Sequence, residues 1–428
     1  MNVGLAALDT ITDAVLRYSP PKEPAKPKPK LKSSAASVNG MQSAEMFAGC
    51  GGLAFGMSRA GFHHAVMAEL DSAAVATAQH NKARGLEHVA AWPVEKTDVR
   101  EIDWRALAGK LAVVSGGPPC QPFGIGGKKQ GHEDGRDMWP EAIRAIREAQ
   151  PDGFLFENVR NLAGPKFKAY LDWIASHLRR PSLERHEGEN HLDHLERLHR
   201  ATRPEEYSVA WQVVNAADYG APQIRFRVLI FGLAARLGVT PQLMQPSHSR
   251  ERLLWDQYIT GDYWKRHGIK ARAAPTDGPD AARVTALREQ SQPPLGLPWI
   301  TTRDALSGLG SPHGKSNHSL QPGARSYTGH TGSPLDMPAK ALKAGDHGVP
   351  GGENMMVKDD GTVRYFTVRE AARLVGLPDD YLFPATWSES MRQLGNAVPA
   401  QLGEAAGLWL KQSILAARGA SEIARSTG

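Results

Sequence analysis

From Ser43 to Gly232 the chain alternates short apolar runs with stretches of helical spacing, and this alternation restricts the fold more than any other feature. A strand-helix repeat of this kind builds a mostly parallel sheet with helices on both faces. The apolar runs predict strands at 43–48, 64–69, 111–115, 153–157, 208–214 and 227–232. Apolar spacing predicts helices over 51–60, 72–82, 138–149 and 165–178. The stretch 179–207 is rich in Arg, Glu and His and weakly apolar, so it reads as a surface insertion. Its His186, His191, His194 and His199 lack the tight spacing of a metal site and are expected to be solvated; no metal site is expected anywhere.

After Gly232 the alternation stops. Residues 236–360 carry many Gly, Pro, Ser and His residues with few regular periods, as a second, smaller, loop-rich domain would. Regularity returns at Phe366, where Thr367 is placed to cap a helix running to about Val375, and a final helix follows Pro399. A chain of 428 residues is long enough for two lobes. The pattern divides it into a basic Pro/Lys-rich tail and linker at 1–40, an α/β domain at 41–235, the irregular 236–360 and a regular closing stretch at 361–428. Within the tail, 1–18 has the spacing of a short amphipathic helix, and the Pro-Lys run from Pro21 to Pro29 favours extended polyproline structure.

The net charge of +6 fits a polyanionic partner without requiring one. Two cysteines, Cys50 and Cys120, exclude a disulfide framework. No apolar run approaches the roughly 18 residues of a membrane span, and the N-terminus lacks the pattern of a secretory signal. The chain reads as cytoplasmic, with both thiols reduced.

Two constellations carry chemistry. The first is Phe47-Ala48-Gly49-Cys50-Gly51-Gly52-Leu53-Ala54, an apolar strand entering a glycine turn and then a helix. The turn meets the G-x-G-x-x-A spacing at Gly49, Gly51 and Ala54, where missing side chains let a nucleotide-like ligand approach the backbone, and Glu69, at the end of the next strand, is spaced to bind ribose hydroxyls. A nicotinamide dehydrogenase or a purely structural turn would present the same pattern. Asp98 is either an acceptor for an adenine amino group or a turn residue, and Cys50 reads as a small packed side chain. The second constellation is the buried strand Leu111–Ser115 followed by Gly116-Gly117-Pro118-Pro119-Cys120-Gln121-Pro122-Phe123. Two prolines stiffen the loop just before a thiol at a strand's carboxyl end, where open α/β sheets bind ligands, so Cys120 is a candidate nucleophile.

Phe47–Gly52, Pro118-Pro119-Cys120-Gln121, Glu157-Asn158-Val159, Gln223-Ile224-Arg225-Phe226-Arg227 and Gly395-Asn396-Ala397-Val398-Pro399 resemble, in that order, the signature motifs of cytosine-5 DNA methyltransferases. The resemblance implies a Rossmann-like S-adenosylmethionine-dependent methyltransferase fold, with 41–235 as the first part of the catalytic and cofactor-binding domain, 236–360 as the target-recognition domain and 361–428 as the return to the catalytic domain. It implies S-adenosylmethionine held by Phe47, Gly49, Gly51, Gly52, Glu69, Asp98, Pro118, Asn396 and Val398. Catalysis falls to Cys120, Glu157, Arg225 and Arg227, and substrate contacts to Gln121, Asn158, Val159, Gln223 and Arg136.

In the chemistry so implied, Cys120 thiolate adds to cytosine carbon 6, because carbon 5 is too weakly nucleophilic to be methylated directly. Glu157 hydrogen-bonds ring nitrogen 3, which asks for its protonated form in a dry pocket. Strand alternation puts Arg225 and Arg227 on one face, where they hold the cytosine carbonyl, the phosphate and Glu157. The glycine-rich, basic stretch Phe123–Asp137 suits a loop closing over the DNA backbone, as base flipping demands. The chain departs from the family pattern at Gly124, commonly Ser, at Leu70, where some members place Trp, and in Pro338–Gly345, where Ala341-Leu342 replaces Thr-Ile.

The expected partner is duplex DNA bearing a specific cytosine site, a cognate restriction endonuclease is a compatible genetic partner, and the expected state is a nucleoid-associated monomer. An RNA cytosine-5 methyltransferase, or a catalytically silent DNA-binding protein on this fold, stays open as an alternative.

Overall fold

The computed structural model describes residues 40–119, 137–328, 331–345 and 354–426. Seven strands, β1 (Met41–Met46), β2 (Phe62–Glu69), β3 (Val94–Lys96), β4 (Val113–Gly116), β5 (Gly153–Val159), β6 (Tyr207–Asn215) and β7 (Phe226–Ala234), form one sheet in the order β3-β2-β1-β4-β5-β7-β6. The first five run parallel, and β7 lies antiparallel to both β5 and β6. Strand order reverses between β1 and β4, so the carboxyl ends Met46 and Gly116 sit side by side at a topological switch point. Open α/β sheets bind ligands at such a crevice.

Both faces of the sheet are covered, which is why β5 reads as a continuous apolar run. On one face Val114, Phe154, Phe156 and Ile230 pack against the helices α3 (Trp139–Ala149) and α4 (Lys168–Arg179). On the other, Val113, Leu155, Leu229 and Phe231 meet Leu53 and Met57 of α1 (Gly52–Arg59) and Leu402, Leu410 and Ile414 of the last helix, Ala400–Ser426. The helix α2 (Ser72–Ala83) joins β2 to β3 and is capped by the Asp71 carboxylate, which accepts from Ala74 N at 2.8 Å. The six predicted strands and four predicted helices all form within a few residues of their expected bounds. The three-residue β3 goes unpredicted because only Val94 of its residues is apolar and buried.

One expectation is corrected. The stretch 179–207 is not a solvated insertion, because it contains the helix α5 (His191–Arg200), capped by Asn190 and packed on α4. His186 and His199 are exposed, but His191 and His194 are buried. His194 takes a hydrogen bond from Trp173 Nε1 at 3.2 Å and its other nitrogen lies 2.8 Å from the Leu183 carbonyl. Imidazole rings occupy positions that apolar side chains usually fill, so the hydrophobic signal was weak while the face was still buried. Among the described residues no group of side chains suits a metal ion.

The irregular region holds helices Arg250–Tyr258, Asp262–His267 and Gly278–Arg288 around two small cores, Leu253, Tyr263, Trp264 and Trp299 in one and Leu254, Val284 and Leu287 in the other. The chain then returns as expected: Thr367 caps Val368–Val375 through a capping box with Glu370. Among the described residues no helix is long and apolar enough to cross a membrane.

Candidate active site

Where β1 ends, Phe47 (φ 55°), Gly49 (φ 55°) and Gly51 (φ 88°) all take left-handed backbone, turning the chain sharply into α1. Phe47 carries a side chain in a conformation that favours glycine, a departure that clusters at functional sites. A Cβ at Gly49 would meet nothing within 4 Å, so its surroundings are open to a ligand. Glu69 closes the turn from β2: Oε2 accepts from Gly49 N at 2.7 Å, and Oε1 accepts from Leu70 N and Asp71 N at 2.8 and 2.7 Å. A carboxylate has about four lone-pair sites, which leaves Glu69 acceptor capacity for a hydroxyl.

Gly52 serves a different purpose. A Cβ there would collide with the Val398 carbonyl, so its absence lets Gly395–Pro399 lie against the turn. Val398 is buried and Asn396 is exposed at the end of helix Trp387–Asn396. Leu70 is 56% exposed beside the turn. An open glycine turn, an acid with spare acceptor capacity and an exposed Asn396 fit a nucleoside-bearing ligand such as S-adenosylmethionine. Asp98 is less free than expected. It caps a short helical turn through Arg100 N and takes Arg100 Nε on both oxygens, at 2.9 and 3.0 Å, and this pairing holds its carboxyl below the usual range.

Beyond β4, Pro118 is buried and Pro119 exposed. Asn158, on β5, donates from Nδ2 to the Pro118 carbonyl at 3.1 Å while its Oδ1 accepts from Val159 N at 2.8 Å. Glu157 is 8% exposed, and a Cβ on Gly117 would stand 3.3 Å from its Oε2, so the carboxyl lies over the start of the loop. Arg227, opposite Val159 across the β5–β7 pair, forms an ion pair from Nε to Glu157 Oε1. Glu157, Asn158, Arg227 and Pro118 thus converge at the carboxyl ends of β4 and β5. Cys120, Gln121 and Arg136, with most of Phe123–Asp137, lie outside the described residues.

Arg225 and Gln223 are placed differently from expectation. The strand breaks between Ile224 and Phe226, where Arg225 N donates to Asn215 Oδ1 at 3.0 Å, so alternation does not carry Arg225 to the face of Arg227. Its guanidinium instead donates to the carbonyls of Leu342 (3.0 Å) and Gly395 (2.7 Å). Gln223 is fully buried; its side chain accepts from Leu342 N at 3.2 Å and donates to Leu374 O at 3.4 Å. Both residues tie the irregular region to the last motif.

Two further residues escaped the sequence reading. Asn354 is buried and bonds both backbone groups of Lys343, at 3.0 and 2.8 Å, and nothing in its sequence surroundings marks it. Glu45 is a charged residue type in the middle of a buried strand, a signal that was available. Cys50 is 1% exposed, with its thiol pushed up to about 12 by burial, as suits a packed side chain.

The family model for C-5 cytosine-specific DNA methylases matches residues 41–411. Among relatives, the type II methyltransferase M.NgoMIV of Neisseria gonorrhoeae is 28% identical over 378 residues, covering 85% of this chain and 95% of its own. M.AplI of Arthrospira platensis is 29% identical over 388 residues, with 90% of each chain covered. Among solved structures, a mutant of Spodoptera frugiperda DNMT2 shares the fold at a TM-score of 0.53 and 14% identity, covering 87% of this chain and 99% of that one.

Proposed function

This chain belongs to the C-5 cytosine-specific DNA methylase family and is a DNA (cytosine-5-)-methyltransferase; from that premise we propose how its residues divide the work. Cys120 is the nucleophile, and the convergence of Glu157, Asn158, Arg227 and Pro118 at the strand ends just before it in the chain supports that assignment. Asn158 braces the Pro118 carbonyl, two residues before Cys120 in sequence. Arg227 fixes the orientation of Glu157.

The thiolate forms a bond to cytosine carbon 6 while Glu157, carrying a proton on the Oε2 oxygen that Arg227 does not hold, donates it in a hydrogen bond to nitrogen 3 and draws electron density off the ring. Carbon 5 thereby gains the electron pair it needs. S-adenosylmethionine supplies the methyl group that carbon 5 receives. Loss of the carbon 5 proton to a base and cleavage of the carbon–sulfur bond then restore the ring and the thiolate. Phe47, Gly49, Gly51, Gly52, Glu69, Asn396 and Val398 are the residues that hold the donor, with Asp98 able to join them once Arg100 moves aside.

We further assign 236–360 to reading the DNA target and place the enzyme among type II modification methyltransferases, which M.NgoMIV and M.AplI are named as. A cognate restriction endonuclease would be its genetic partner. The test is incubation with radiolabelled S-adenosylmethionine and duplex DNA, with methylated cytosines located by bisulfite sequencing. Label at one recurring sequence, absent with Cys120→Ser, is expected; label scattered without sequence preference contradicts the target-reading assignment.

A further inference from the structure

Glu45 stands one residue from the end of β1, inside the sheet. In the parallel register with β4 it lies opposite Ser115, whose hydroxyl donates to Glu45 Oε2 and also reaches the Ala44 carbonyl at 3.4 Å. Neither side chain sees solvent: Glu45 is 1% exposed and Ser115 0%. Two residues after Glu45 the backbone turns at Phe47 into the Phe47–Gly52 turn, and one residue after Ser115 β4 ends at Gly116, from which the chain runs through Pro118-Pro119 to Cys120. The pair therefore joins the roots of the two loops that flank the switch point.

A carboxylate buried without a cation is costly, so the charge environment decides its form. Among the described residues, Glu45 has no ion-pair partner, and the basic groups of the neighbouring elements are engaged elsewhere. On β2, His64 lies 3.0 Å from Ser43 Oγ and 3.1 Å from the Ala54 carbonyl, and burial holds its pKa down to about 4. On the two covering helices, Arg59 and Glu404 are paired with each other at 3.0 Å, and Lys411 donates to the Ala60 carbonyl at 3.0 Å. Burial pushes the Glu45 carboxyl up to about 8, against the opposing pull of the Ser115 hydroxyl.

We propose that Glu45 is a positioning residue whose protonated form clamps the root of the cofactor turn to the root of the Cys120 loop, so that donor binding and methyl transfer are both lost when it ionises. The inference rests on the assignment of Phe47–Gly52 to the donor and of Cys120 to nucleophilic attack. Ionisation places a charge between β1 and β4 that only the neutral Ser115 hydroxyl answers, and the favoured relief is separation of the two strand ends, which misplaces both loop roots at once.

The test measures kcat/KM on duplex DNA between about pH 6 and 9.5, together with S-adenosylmethionine Kd by calorimetry, for the full-length wild type, Glu45→Gln, Ser115→Ala and Cys120→Ser. The wild type is expected to lose about tenfold in kcat/KM per pH unit above about 8, with Kd rising in parallel. Glu45→Gln, neutral at every pH, should lack that shared limb while staying within about threefold of wild type at neutral pH. Ser115→Ala should move the limb to higher pH, because the hydroxyl that favours the charged form is gone. A limb in Glu45→Gln that superimposes on the wild type, in rate and in Kd, overturns the proposal. Should Glu45→Gln not fold, a Ser115→Ala limb at the wild-type position overturns it. An inactive Cys120→Ser alongside an unchanged Glu45→Gln limb defeats the clamp alone, whereas an active Cys120→Ser defeats the nucleophile assignment.

Discussion

The ion pair between Arg227 and Glu157 concentrates the chemistry of the site in two side chains. A guanidinium is planar and donates along fixed directions, so it sets the plane of the carboxyl as well as its position. Arg227→Ala should therefore lower kcat by about 100-fold with a smaller change in KM for DNA, and Arg227→Lys should recover only part of the loss. Steady-state kinetics on duplex DNA checks both. Asn158→Ala, which frees the Pro118 carbonyl, should cost about tenfold in kcat and leave S-adenosylmethionine Kd nearly unchanged. The sequence singled these positions out as candidates because each sits in a short motif. Arg225 and Gln223 belong to such a motif too, yet the fold spends them on backbone carbonyls and amides, because the strand breaks between Ile224 and Phe226 and periodicity cannot be read across a break.

At the scale of elements, the sheet was legible because strands buried on both faces are apolar along their whole length. The helix α5 was not, since its packing face uses His191 and His194 where Leu would be expected. Across that interface His177 is 6% exposed, its two ring nitrogens find no hydrogen-bond partner among the described residues, and burial pulls its pKa down to about 3. A histidine kept neutral in the folded state favours unfolding once the unfolded chain takes up its proton. Its contribution is complete above the ordinary value of 6.5 and is lost as pH falls towards about 3. Urea unfolding should show stability declining across that window, and His177→Phe should flatten the decline. An identical slope in both proteins would contradict this.

At the scale of the whole molecule, the last motif lies beside the first although Gly52 and Val398 stand 346 positions apart in the chain, an interval that the backbone must close at roughly the entropic cost of a long loop. Helical regularity resumes at Phe366, but only the motif resemblance indicated where that stretch lies. Arg225 holds it, since its guanidinium reaches both Leu342 and Gly395. Arg225→Ala leaves those carbonyls without the charged donor and should lower stability by about 3 kcal/mol while weakening S-adenosylmethionine binding, measured together by denaturant unfolding and calorimetry.

The account stands or falls on Cys120, and covalent trapping tests it most directly. Duplex DNA carrying 5-fluorocytosine at the target blocks loss of the carbon 5 substituent, so with S-adenosylmethionine the wild-type enzyme should accumulate a denaturation-resistant adduct whose mass maps to the peptide containing Cys120. An adduct mapped to any other residue, or one formed equally by Cys120→Ala, would contradict it.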